Sequence, residues 1–277
     1  MGTSVVPASV RRHRFRLEPY IAFALTAMAR EATYRFEVFT AIGSLLVRVY
    51  LLKTVWTALY AHNAVPENLP LHAIVTYSTV ALLMGLVLDI DQTRLLHDKL
   101  HDGSIATDFM KPINVPLYFF SDGTGEVFFH AVLVVPSLLL ALFLVHLDVP
   151  DPATLAVFFL SFLLGYFVGF CMNFILNCTA FWTLEISAVQ LIVTWVTDLL
   201  GGQLVPLVFF PAAIQSVLMF LPFAAMFSTP LLIFVGRIPP AQWWPALAVQ
   251  ALWLVILALV SVVMWRAGSQ RVVVQGG

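Results

Sequence analysis

Residues 127–147, 153–176 and 241–265 each pass without a single Asp, Glu, Lys or Arg. No other feature restricts the fold as much. In hydrocarbon the backbone must satisfy its own N–H and C=O groups, which leaves helices or closed barrels. About 20 mainly apolar residues cross a bilayer as a helix, whereas a barrel strand needs only about 10. The long runs are therefore helical. Composition agrees: 61% of residues are hydrophobic and 10% charged, against roughly 25% charged in a soluble domain. The expected fold class is all-α, a polytopic membrane protein forming a single transmembrane domain over 1–277. Six transmembrane helices fit, at 36–62, 70–88, 116–147, 153–176, 179–200 and 241–265. The third carries an interfacial lead-in, NVPLYFFSDGTGE, before its most apolar part. The polar stretches 1–20 and 89–114 are too short to bury a core of their own.

Between Val205 and Gly236 an apolar run is broken by prolines at 206, 211, 222 and 230. Proline removes a backbone donor and clashes with the preceding helical turn. Irregular backbone at membrane depth survives only when buried in protein or beside water. The segment 203–237 is thus expected to form external re-entrant helices, a pair that dips into the outer leaflet and turns back. Phe209, Phe210, Phe220 and Phe223 within it are candidates for an external gate. Trp56, Tyr60, Trp243 and Trp244 sit near outer span ends and read as interfacial belt anchors.

Charge placement sets the orientation. Arg11, Arg12, Arg14 and Arg16 form a basic tail over 1–16, followed by Arg30 and Arg35. Arg94, Lys99 and Lys111 lie in the loop 89–114, and Arg266 and Arg271 follow the last span. The positive-inside rule then puts both termini and that loop in the cytoplasm. No signal-peptide apolar run follows the basic cluster promptly. Residues 17–35 are apolar but end in Arg30, Glu31 and Arg35, which reads as an N-terminal interfacial helix. Cys171 and Cys178 on one helix would be about 10.5 Å apart along its axis, beyond disulfide reach. Both are expected to be free core thiols.

The glycine pairs at 201–202 and 276–277 are isolated, and no phosphate-cradling Walker loop is present in the sequence. His97 and His101 lack the glutamate of a zincin motif and read as helix surface, so no metal site is expected. The run TRLLHDKLHDG is helix-compatible. Leu95, Leu96 and Leu100 fall on one side, Arg94 and Asp98 pair at i, i+4 on the other, and Gly103 supplies a stop. Such a helix suits a groove on a soluble partner or the membrane surface itself. Charges also occur in the spans: Arg48 and Lys53 in the first, Glu185 and Asp198 in the fifth. Asp122, Glu126 and His130, four apart, share one stripe of the third. A charge at membrane depth costs a few kcal/mol. Three readings stay open for them: pairing between helices, a proton relay or polar substrate path, and snorkelling to the interface, easiest for Lys53 and Asp198.

Taken together these segments resemble a known family. LHDKLHDGSIATDFMKPIN, with Met110-Lys111-Pro112 in place of an L-K/R-P phrase, is similar to the cytoplasmic loop of type-two ATP-binding-cassette permeases. FWTLEISAVQ, GGQLVPLVFFP, LPF, TPLLIFVGR, WWPALAVQALW and a C-terminal VVVQGG resemble the second half of the same permeases. The resemblance covers nearly the whole chain and fits best the six-span branch without a fused ATPase. It implies a bacterial inner-membrane exporter subunit that pairs with a second permease copy or a sister subunit. It also implies an ATP-binding-cassette ATPase dimer docked beneath, which binds the ATP and Mg, so no cofactor is implied in this chain. The family's coupling helix maps to 92–103, with Arg94, Leu95, Leu96, Asp98, Lys99, Leu100, His101 and Asp102 as the ATPase-coupling residues. The dimer seam and path would involve the first, second and fifth spans, and the polar load of Arg48 and Lys53 departs from that pattern.

The expected function is therefore ATP-driven export of an amphipathic or apolar substrate, with no catalytic residue in the chain and no nucleic-acid partner. The alternative is a proton-coupled secondary transporter using Asp122, Glu126 and His130. A membrane-embedded enzyme would have only those same three residues, with Ser121 as a distant addition.

Overall fold

A computed structural model describes residues 17–33, 35–62, 70–88, 94–183 and 186–275. The basic tail 1–16, residues 89–93 and the candidate Glu185 lie outside the described residues. Among the described residues all regular structure is helical: α1 (Glu18–Ala32), α2 (Arg35–Ala61), α3 (Leu71–Leu88), α4 (Arg94–His101), α5 (Ile105–Phe109), α6 (Val115–Leu144), α7 (Pro152–Cys178), α8 (Ser187–Leu200), α9 (Ala212–Phe220), α10 (Pro222–Met226), α11 (Ser228–Phe234) and α12 (Trp243–Gln275). Five helical stretches, 38–61, 71–88, 115–144, 152–181 and 240–271, are long and apolar enough to cross a membrane. The chain is an all-α polytopic membrane protein.

α6 runs through the expected lead-in. Residues from Val115 onward form one unbroken helix, so most of that lead-in is its opening turns. Asn114 caps it by accepting the Leu117 N–H at 3.1 Å, and Pro116 falls in the first turn, where a donor is not missed. At 30 residues α6 is about 45 Å long, some 15 Å more than the hydrocarbon needs. Its far end turns beside the start of α3, where the Asp148 N–H donates to Thr76 Oγ1 at 3.3 Å.

The fifth expected span, 179–200, departs most. A 3-10 turn over Thr179–Phe181 follows α7, and α8 begins only at Ser187. Its 14 residues give about 21 Å, short of a full crossing at roughly 30 Å. The cause is aromatic: Phe181 meets the Trp265 ring at 5.7 Å, and the Arg271 guanidinium lies 5.6 Å from the Trp182 ring. These contacts hold 179–183 at the α4 end instead of releasing it into a span.

The proline-broken segment forms a 3-10 turn and three short helices where a pair was expected. The backbone is drawn out at Pro206, Pro211 and Leu221, which precede the 3-10 turn, α9 and α10 respectively. Pro230 is accommodated in the first turn of α11, where its missing N–H has no helical partner to lose. The segment is also no loose external flap. Phe227, Leu231 and Ile233 are fully buried, in one cluster with Tyr77 of α3 and Val168 of α7. The Tyr77 hydroxyl donates to the Gly202 carbonyl at 2.7 Å. Gln250 of α12, also buried, donates to the Ser161 and Ala225 carbonyls at 3.1 and 2.7 Å. Buried polar groups must be paired at membrane depth, and here the pairings tie α12, α7 and the re-entrant segment together. Cys171 and Cys178 are free and buried on α7, as expected.

Candidate functional site

Helix α4 and the short α5 form a compact unit at one end of the bundle. Leu96 is fully buried, in a cluster with Ile105, Val115, Phe119, Phe174 and Cys178. Leu95 and Leu100 pack half-buried at its edge. Gly103 adopts φ +77°, the left-handed conformation that the sequence assigned to a helix stop. Ser104 donates its hydroxyl and N–H to Asp102, holding that carboxyl below its usual range. Arg94, Asp98, His101 and Asp102 stay exposed on the outward face. Arg94 Nε lies 3.9 Å from Asp98 Oδ2, an exposed pair worth at most about 1 kcal/mol. The His97 and His101 rings are 6.2 Å apart.

Beneath that face lies a feature that the sequence did not disclose. Asp108 of α5 is completely buried. Lys99 Nζ donates to its Oδ2 at 2.5 Å and Lys111 Nζ to its Oδ1 at 2.6 Å. Burial alone would raise the Asp108 carboxyl, but the two lysines outweigh it and hold it below its usual range. Burial likewise opposes the Lys99 charge, and the Asp108 bond outweighs it, so Lys99 is raised. Lys99 also stands 5.0 Å from the centre of the Tyr118 ring on α6. A load applied to α4 therefore reaches α6 and α7 through Leu96, and α5 through Lys99. The sequence offered only an acid three residues before a lysine, which is also the spacing of an ordinary surface pair.

The stripe on α6 ends on a partner from α1. Arg30 Nη2 donates to Asp122 Oδ2 at 3.1 Å and to Glu126 Oε1, while Nη1 reaches Asp122 Oδ1 at 3.4 Å. His130 does not join them; its Nδ1 bonds the Glu126 carbonyl at 3.0 Å. The helices meet closely enough that a Cβ on Gly125 would fall 2.1 Å from the Ala24 carbonyl oxygen. Asn114 N–H donates to the Tyr20 hydroxyl at 2.9 Å, and Phe23 meets Tyr118 edge-on at 4.6 Å. α1 thus runs along the first half of α6, and the arrangement matches pairing between helices.

The remaining candidates are scattered. Lys53 donates to the Leu144 carbonyl at 2.6 Å, in the last turn of α6, where the helix dipole favours a cation. Arg48 is exposed on α2 beside Val47 and Leu51, and among the described residues it has no ion-pair or hydrogen-bond partner. Phe209 packs against Trp56 at 5.5 Å, and Phe210 borders a cluster around Leu207 and Leu218. Phe220 faces outward beside Trp253 at 6.3 Å, and Phe223 is half-buried on α10. Among the described residues no ring contact joins any two of these four phenylalanines. The belt reading fails for Trp56, which is buried and donates to Ser78 Oγ at 2.9 Å. Trp244 is 76% exposed, as a belt residue would be.

A family model described as "ABC-2 family transporter protein" matches residues 46–276. No curated protein and no solved structure matches the chain. The matched stretch begins inside α2 and takes in the α4–α5 unit, the re-entrant segment and α12, while α1 and Arg30 lie before it. The family comprises the membrane components of ATP-binding-cassette transporters rather than their ATPases. The chain belongs to the ABC-2 transporter family, as a membrane permease.

Proposed function

We propose that this chain is one permease subunit of an ATP-driven exporter in a bacterial inner membrane, with both termini cytoplasmic. A second copy or a sister subunit completes the path, and an ATP-binding-cassette ATPase dimer, holding ATP and Mg, docks on α4. The substrate is amphipathic or apolar. The observation that carries this reading is the two-sided construction of α4. Its outer side presents Arg94, Asp98, His101 and Asp102 to a partner, and its inner side is fixed by Leu96, with Lys99 gripping Asp108. Closure of the ATPases would press on that outer side and move α6 and α7 together. α7 carries the push onward, because α10 and α11 lie against it in the main core cluster. Rearrangement of the re-entrant segment, with Phe209, Phe210, Phe220 and Phe223 around it, would then open the far end.

The Arg30 grip on Asp122 and Glu126 supports a structural role for those carboxylates over proton coupling. The test exchanges the charges on α4. Arg94→Glu with Asp98→Arg keeps an i, i+4 pair, in the orientation that stabilises a helix better, but inverts the docking surface. The expected result is loss of the ATPase from a mild-detergent pull-down with unchanged thermal unfolding of the permease. Undiminished co-purification would reject α4 as the dock.

A further inference from the structure

At the α4 end, a groove of about 740 Å³ opens between α6, α7 and α12. Phe120, Phe170, Phe174, Val262 and Trp265 give it apolar walls. That size lies within the roughly 300–1,000 Å³ of ligand clefts. Its mouth is of different character. Arg266 lines it, and among the described residues no ion pair or hydrogen bond engages the guanidinium. Asn114 lines it too, with its side-chain oxygen already occupied by the Leu117 N–H, which leaves the amide NH2 as a donor. No acidic side chain is among the residues lining the groove.

Depth identifies the occupant. α12 starts at Trp243, so Ala258 and Arg266 stand about 23 and 35 Å along it. Counted from Trp243, a hydrocarbon core of roughly 30 Å would put the α12 wall in the last part of one leaflet and Arg266 just beyond its boundary. We propose that the groove holds one anionic phospholipid of the surrounding bilayer, with its acyl chain along the phenylalanines and its phosphate on Arg266 and Asn114. Basic pockets between membrane helices are suited to anionic headgroups. The mouth offers only donors and positive charge, so a zwitterionic lipid gains the phosphate contact but brings a cation that nothing there pairs.

The site is tested with purified full-length chain in nanodiscs of equal phosphatidylglycerol and phosphatidylcholine, released gently and weighed by native mass spectrometry. Wild-type chain should retain one phosphatidylglycerol per copy. Arg266→Gln should lower that retention about tenfold, Arg266→Lys should restore much of it, and Ala258→Phe should abolish it by filling the groove. Thermal unfolding in pure phosphatidylcholine controls for folding: wild type and Arg266→Gln should unfold alike there, and only wild type should gain on adding phosphatidylglycerol. Equal retention of the two lipids, or retention indifferent to Arg266, would overturn the assignment. So would displacement of the lipid by millimolar inorganic phosphate, which would make the site one for a free anion.

Discussion

Asp108→Ala tests whether the α4–α5 unit is held by its buried charge cluster. The substitution removes two charge-assisted hydrogen bonds, from Lys99 at 2.5 Å and Lys111 at 2.6 Å. The two losses differ in weight. The Lys111 side chain is 53% exposed, so water replaces its partner at little cost, whereas Lys99 is only 17% exposed. Removing one member of a buried pair costs about 3–5 kcal/mol, because the other charge is left uncompensated. Partial access of water to Lys99 puts the loss near the lower end, about 3 kcal/mol. If α4 and α5 open as a local unit, that corresponds to roughly 100-fold faster amide exchange there. Hydrogen exchange of residues 94–113 in detergent or nanodiscs reads it, with α3 and α7 as internal controls. The wild-type opening free energy, with intrinsic exchange divided out, should be flat across neutral pH. The Asp108 carboxyl is held below its ordinary value, so its stabilisation is complete above that value and lost as pH falls through the lowered one. Lys99 is raised, so its share is complete below its ordinary value and lost as pH rises through the raised one. Exchange in Asp108→Ala within threefold of wild type would refute the argument that the cluster holds the unit closed.

Other features give shorter tests. Arg30→Gln should lower the thermal midpoint of the chain, and Asp122→Asn with Glu126→Gln in the same background should recover part of the loss, because the uncompensated carboxylates go with it; a further drop would count against pairing. Gly125→Val should separate α1 from α6, since even a Cβ would fall 2.1 Å from the Ala24 carbonyl oxygen; a cysteine pair across the two helices should then cross-link slowly. Tyr77→Phe should cost about 1–3 kcal/mol by leaving the buried Gly202 carbonyl without its donor, and unfolding in denaturant measures it. Trp56→Phe should cost about 1 kcal/mol through its Ser78 bond, whereas Trp244→Phe should change stability little.

The long apolar runs made the all-α membrane fold legible, because hydrocarbon forbids unpaired backbone and so converts hydropathy directly into helix. The α4 amphipathy was legible for a related reason: three leucines and a glycine stop are local signals. What escaped was set by pairs distant in the chain. Nothing near Trp182 announces Arg271, so the shortening of α8 could not be read from a run that stays mostly apolar. Trp56 looked like an interface residue by depth alone, and only Ser78 on α3 makes it a core one. Asp108 sits in a polar loop where solvent exposure is the ordinary outcome, and its burial depends on both lysines arriving together. Arg30 was visible, as were Asp122 and Glu126, but the register that joins α1 to α6 is tertiary.

That last contact bears on how the protein is made. Arg30 precedes Asp122 by 92 residues, an interval of about 5–18 s at ordinary translation speeds. When the two carboxylates of α6 emerge, the guanidinium that pairs with both is already present on α1. Without it each acid would enter the membrane unpaired, where an uncompensated charge costs up to a few kcal/mol. α1 is thus in place to pair these acids before α6 is complete: a chain beginning at residue 46 would keep every matched residue of the transporter domain and lack that partner.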